Sequence, residues 1–103
     1  MDTQQKHQFL FTELVLIFHA AAMQQMGKLK NPVTDAIERN LAAAQGSIDM
    51  LDMLKEKTKA NLSSDEERML SEVLRELRLN YVDEVNKDQA TPKSQETGEG
   101  QAK

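Results

Sequence analysis

Residues 48–78 read IDMLDMLKEKTKANLSSDEERMLSEVLRELR, and within them one amphipathic helix ends, the chain turns, and a second helix begins. The lysine-rich segment before Asn61 marks the end of the first helix. Ser63 opens the next, with Glu66 three residues on and Leu62 just outside, the spacing of a capping box in which side chains satisfy the first free backbone N–H groups. The segment specifies a helical hairpin and, by itself, no chemistry.

Working outward, the apolar spacing predicts an all-α chain: a three-helix antiparallel unit made of helix one followed by a helix two/helix three hairpin. Helix one is expected over residues 4–26, stopped by Gly27 with Pro32 beyond. Helix two is expected over 35–59, with Thr34 as its cap and Ile37, Leu41, Ala44, Ile48, Leu51 and Leu54 on one face. Gly46 costs roughly 1 kcal/mol in a helix interior, so a close helix crossing is expected there. Helix three is expected over 64–86, where Leu70, Val73, Leu74, Leu77, Tyr81 and Val85 repeat at three- and four-residue steps. From Lys87 to Lys103 the apolar periodicity ends, and the composition predicts a disordered tail beyond a helical domain of residues 1–86.

The hairpin segment also resembles an uncharacterised bacterial family, domain of unknown function 1844. Ile48, Asp49, Lys57, Thr58, Asn61, Leu62, Glu66, Leu70, Leu77 and Arg78 occupy positions of its pattern, and Phe11, Leu14 and Val15 match its N-terminal part. The resemblance spans most of residues 9–82. Ala60 departs from it, standing where the pattern has the glycine that favours a left-handed turn; either Asn61 takes that conformation or the turn differs. The resemblance implies the helical fold and no activity.

Composition narrows the function classes. The chain has no cysteine, hence no disulfide framework, thiolate metal site or cysteine nucleophile. Its beginning lacks the basic and apolar regions of a secretory signal, and its longest apolar stretch, Phe9 to Met23, is too short and too polar to span a bilayer. A cytoplasmic protein with no membrane span is expected. The net charge of −4 is unevenly placed, since residues 63–86 carry seven Asp or Glu against three Arg or Lys. A nucleic-acid binder displays a basic stripe; only Lys55, Lys57 and Lys59 cluster here, and no nucleic-acid partner is expected.

Helix one speaks to assembly. At about 100° per residue, Leu10, Phe11, Leu14, Val15, Ile17, Phe18, Ala21 and Ala22 form a broad apolar face, and Phe9, Leu16, Ala20 and Met23 a narrower stripe. A helix in a three-helix monomer needs one stripe, and a core of about 80 residues is marginal. Both arguments predict a homo-oligomer, most simply a dimer, with Phe9, Leu16, Ala20 and Met23 joining subunits and the broad face in the core.

Candidate chemistry is sparse. His19 with Met23 one turn on, and Met26 beyond, could attract a soft ion, but no second histidine or cysteine completes a shell; neither metal nor cofactor is expected. Met50, Met53 and Met69 could line an adaptable peptide groove, though packing between helices two and three is the better reading. Asp49, Asp52 and Glu56, interleaved with Lys55 and Lys57, read as an ion-paired surface. Asp49, set among Ile48, Met50 and Leu51, is expected to form a structural ion pair with Arg78, or with Arg75. No catalytic residues can be assembled, so an enzyme is not expected. Three classes remain, in order: a small homo-oligomeric interaction or scaffold protein with an unidentified protein partner, a nucleic-acid-associated regulator using helices two and three, and peripheral membrane attachment through helix one.

Overall fold

A computed structural model of the chain describes residues 1–90. It contains three α-helices, α1 Thr3–Gln25, α2 Leu41–Lys57 and α3 Ser64–Ala90, and no strand among those residues. Ion pairs and hydrogen bonds fix their directions. Gln25 near the end of α1 meets Ser47 in the first half of α2, and Arg78 of α3 meets Asp52 of α2, so both neighbouring pairs are antiparallel. His19 pairs with Glu76 and Lys28 with Asp83, so α1 and α3 run the same way.

Local chemistry explains each boundary. Asp2 caps α1 with its carboxylate on the Gln5 N–H at 2.8 Å, and the Gln5 side chain returns to the Asp2 N–H at 3.0 Å. This box lies two residues before the expected start. At the other end Lys28 N–H donates to Met23 O at 2.8 Å and Gly27 N–H to Gln24 O at 3.0 Å. That is a Schellman closure, made possible by Gly27 at φ +84°. The Ser63–Glu66 box forms as expected, at 2.8 and 3.1 Å.

Helix α2 starts six residues later than its apolar spacing suggested. Asn31 and Pro32 organise residues 31–38 instead: Asn31 Oδ1 accepts from Val33 N–H at 2.8 Å, Asn31 O from Asp35 N–H at 2.7 Å, and Asn31 N–H donates to Ala36 O at 2.8 Å. Such local bonds offer the backbone an alternative to helix. Asn40, not Thr34, is the cap, accepting from Ala43 N–H at 3.0 Å; Thr34 bonds Glu38. Ile37 is therefore exposed in the connection and belongs to no helix face.

The core gathers Val15 and Ala22 from α1, Met26 at its C-cap, Ala44, Ile48 and Leu51 from α2, and Leu70, Val73, Leu74 and Leu77 from α3. Each large member adds roughly 1.5–3 kcal/mol by burial. Phe11, Phe18, Met23, Leu54, Met69 and Tyr81 pack around it. One polar bridge crosses between α1 and α2: the Gln25 amide nitrogen donates to Ser47 Oγ at 2.7 Å and lies within 3.2 Å of the Ala21 and Ala43 carbonyls.

Several expectations are corrected. Gly46 marks no crossing, since a Cβ there would meet nothing within 4 Å. Met50 and Met53 are half exposed on α2 rather than packed against α3; Met69 alone of the three packs on the core. Arg78 pairs with Asp52 rather than Asp49. Asp49, one turn earlier, is exposed and accepts from Gln45 Nε2 at 2.9 Å, while Arg75 pairs along its own helix with Glu72. Residues 87–90 continue α3 instead of opening the tail; the rest of the expected tail, 91–103, lies outside the described residues.

Ala60 itself adopts the left-handed conformation, at φ +70°. For an L-residue that conformation costs roughly 1–2 kcal/mol. We expect Ala60→Gly to stabilise the protein by about 1 kcal/mol in urea unfolding, and Gly46→Ala to add about 1 kcal/mol by helix propensity. A destabilising Ala60→Gly would show that the turn is not strained as described, and a destabilising Gly46→Ala that the open face of α2 is covered.

Candidate interaction surface

Where α1 turns toward its two neighbours, residues Phe11, Val15, Phe18, Ala22 and Met26 follow a four-three-four-four spacing and enter the core. One helix offers its partners a single stripe. The remaining apolar residues have nowhere to go within the chain. Phe9, Leu10, Leu14, Leu16 and Ile17 are 39–59% exposed, and Ala20 is exposed beside them. At 100° per residue they wrap the outward side of α1, with Lys6, Glu13 and Gln24 along its middle.

The two faces drawn from sequence are thus divided differently. Phe9, Leu16 and Ala20 are outward, as a contact with another molecule requires. Met23 is partly buried against the core instead, because it lies on the α3 side of the helix. Leu10, Leu14 and Ile17, expected in the core, are outward and join the exposed face. His19 turns toward α3, with Nε2 3.2 Å from Glu76 Oε1. Among the described residues, no group of three His, Asp or Glu side chains is placed to hold a metal ion.

Two further features lie at opposite ends of the bundle. An open, mostly polar groove of about 620 Å³ separates the start of α1 from the α2–α3 turn, lined among others by His7, Gln8, Asn61, Ser63 and Glu66. Its Ser63 and Glu66 are engaged in the capping box of α3.

At the other end, Glu84 gathers an ion cluster that sequence reading missed. Its side chain is 9% exposed. Glu84 Oε2 lies 2.8 Å from Lys28 Nζ and 3.0 Å from Lys87 Nζ, and Oε1 lies 3.0 Å from Arg39 Nε. Arg39 also donates to the Glu84 carbonyl and pairs with Asp88. Lys28 and Arg39 flank the irregular connection, so the cluster straps it to α3. The Lys28 hydrogen bond, then that of Lys87, holds the Glu84 carboxyl at about 2, against the opposing effect of burial. The hydrogen bonds that Lys28 donates to Glu84 and Asp83 in turn push its ammonium well above its ordinary value.

Residues 8–83 match the family described as domain of unknown function (DUF1844). The chain belongs to this family. The DUF1844 match takes in the outward face of α1 and the turn at Ala60, and ends one residue before Glu84. No curated protein and no solved structure matches the chain. The DUF1844 assignment carries no activity, so the surface must be read from its own geometry.

The strap makes a pH prediction. Glu84 titrates lower in the folded chain than its ordinary 4.5, so its stabilisation is complete above about 4.5 and is lost as pH falls toward about 2. The raised Lys28 value works the other way, its contribution holding below 10.5 and fading only at higher pH. Glu84→Gln should cost about 2 kcal/mol at neutral pH, less than a fully buried pair because Lys28 and Arg39 can rehydrate, and should flatten the acid limb of the melting temperature. An unchanged acid limb would assign acid sensitivity to other carboxylates.

Proposed function

We propose that this DUF1844 protein is a small, non-catalytic helical interaction or scaffold protein that works as a homo-oligomer in the bacterial cytoplasm. The observation behind this reading is the outward face of α1, where five large apolar side chains stand together in water. A contiguous apolar patch of several hundred Å² on a small soluble chain marks a contact surface. The non-catalytic part rests on Glu66 of the groove being engaged in the α3 cap and on the carboxylates and cations of the Glu84 cluster being paired with one another. The cytoplasmic part accords with there being no helix long and apolar enough to cross a membrane among the described residues.

The other two classes fit less well. As a recognition helix α3 would bring Asp65, Glu66, Glu67, Glu72 and Glu76 toward phosphates, which would repel them. An interfacial membrane helix carries a cationic border; the outward face of α1 has Lys6 alone, with Glu13 near its centre.

Sedimentation equilibrium should find a dimer or higher oligomer at micromolar concentration. Leu16→Glu and Ile17→Glu should each yield helical monomers, because both side chains are exposed in the subunit, whereas Val15→Glu should unfold it. A wild-type monomer at these concentrations would overturn the reading. Retention on anionic vesicles, with no self-association in solution, would favour the membrane class.

A further inference from the structure

Resting on that reading, we infer that the partner of the outward α1 face is a second copy of the same helix, antiparallel, with the two-fold axis passing at Glu13. The first observation is the order of the face itself. Phe9 stands as far before Glu13 as Ile17 stands after it, and Leu10 as far before as Leu16 after. All four are exposed. A two-fold contact is self-complementary, each residue meeting the one that its own position is met by. With the axis at Glu13, Phe9 packs on the partner's Ile17 and Leu10 on the partner's Leu16, and symmetry repeats both contacts. Leu14 lies beside the axis.

Charge supports the same direction. Lys6 and Glu13 are the only Lys, Arg, Asp or Glu residues of α1. Among the described residues, neither has a partner for its side-chain charge. Parallel pairing would set two lysines and two glutamates against each other in a partly dry seam. Antiparallel pairing brings Lys6 opposite the partner's small Ala20, near the C-terminal end of that helix, where unpaired carbonyls favour a cation. Antiparallel pairing thus leaves one like-charge pair, Glu13 on the axis, where parallel pairing would leave two.

Area supports a second copy too. At about 150 Å² for a large side chain, five that are about half exposed leave on the order of 400 Å² of apolar surface per copy. Two such faces with their polar rims approach the ~1,000 Å² of a specific interface. In the proposed register Phe9, Leu10, Leu16 and Ile17 are each matched by an apolar residue, and Leu14, 100° around the helix from Glu13, lies at the edge of the contact.

The absence of cysteine from the full chain makes the register directly measurable. Single substitutions Glu13→Cys, Phe9→Cys and Ile17→Cys are made in the full chain, checked for association by sedimentation, and oxidised. A disulfide needs Cα atoms within about 7 Å. Glu13→Cys should link to itself. Phe9→Cys and Ile17→Cys should not, since each lies about 12 Å along the helix from its own mate at 1.5 Å per residue; refolded together, they should cross-link to each other. If cysteine at 9 or 17 weakens the dimer, Leu10→Cys and Leu16→Cys, paired by the same symmetry, replace them. Self-linking at 9 and at 17 would establish a parallel pair and overturn the inference while leaving the oligomer reading intact. An oligomer with no cross-link at any of these positions would overturn the pairing centred on Glu13. A wild-type monomer would instead defeat the reading on which the inference rests.

Discussion

A helix seated in the groove between two others can bury only one side, and in this chain that limit falls on the most apolar helix. Phe11, Val15, Phe18, Ala22 and Met26 use up the side of α1 that α2 and α3 can reach. The three-helix core is correspondingly small, with ten buried apolar residues among those described, two of them from α1 and a third, Met26, at its C-cap. What remains on α1 is therefore a second apolar surface that no internal rearrangement can hide. Turning the helix to bury Ile17 or Leu16 would expose Val15 or Ala22 in exchange. The chain is in this sense complete as a fold while one face of α1 stays apolar and exposed.

The connection between α1 and α2 raises the opposite problem, because residues 28–40 contribute little apolar burial. It is held by polar means. The Asn31 turn fixes its middle, Asn40 N–H donates to Gln25 O at 2.7 Å at its end, and Lys28 and Arg39 converge on Glu84. A carboxylate this far from water is tolerable because cations on both sides of it donate hydrogen bonds. The strap also accounts for α3 running past its last apolar position: Glu84, Lys87 and Asp88 hold those turns in the helix by ion pairs.

The α2–α3 hairpin was legible because its signals are local. Ser63 and Glu66 are three residues apart, and the spacing of Leu70, Val73, Leu74 and Leu77 needs no knowledge of the partner. The start of α2 was not, because Ile37 fits the apolar period by chance while Asn31 and Asn40 direct the backbone through short-range side-chain bonds. The core side of α1 was obscured by its surplus of apolar residues: Ile17 and Val15 look alike in sequence, and only the positions of α2 and α3 separate them. The Glu84 cluster joins positions 45 to 56 residues apart, and nothing in the local pattern pairs them. Arg78 was identified as an ion-pair residue with its acid misplaced by one turn, since Asp49 and Asp52 are neighbours on α2 and the sequence alone does not say which of them meets α3.

That contrast in sequence separation has a kinetic side. The Asp52–Arg78 contact within the hairpin closes 26 residues, and the His19–Glu76 contact that docks α1 closes 57. Loop-closure entropy makes the longer closure dearer by roughly 0.7 kcal/mol, and the hairpin also starts from a capped turn. The hairpin is therefore expected to nucleate folding and α1 to dock afterwards, with φ-values high around Leu70 and low around Val15; the reverse pattern would refute this order. Until α1 docks, both of its apolar sides stand in water at once. The late helix is then the segment through which a nascent chain is most exposed to unintended association.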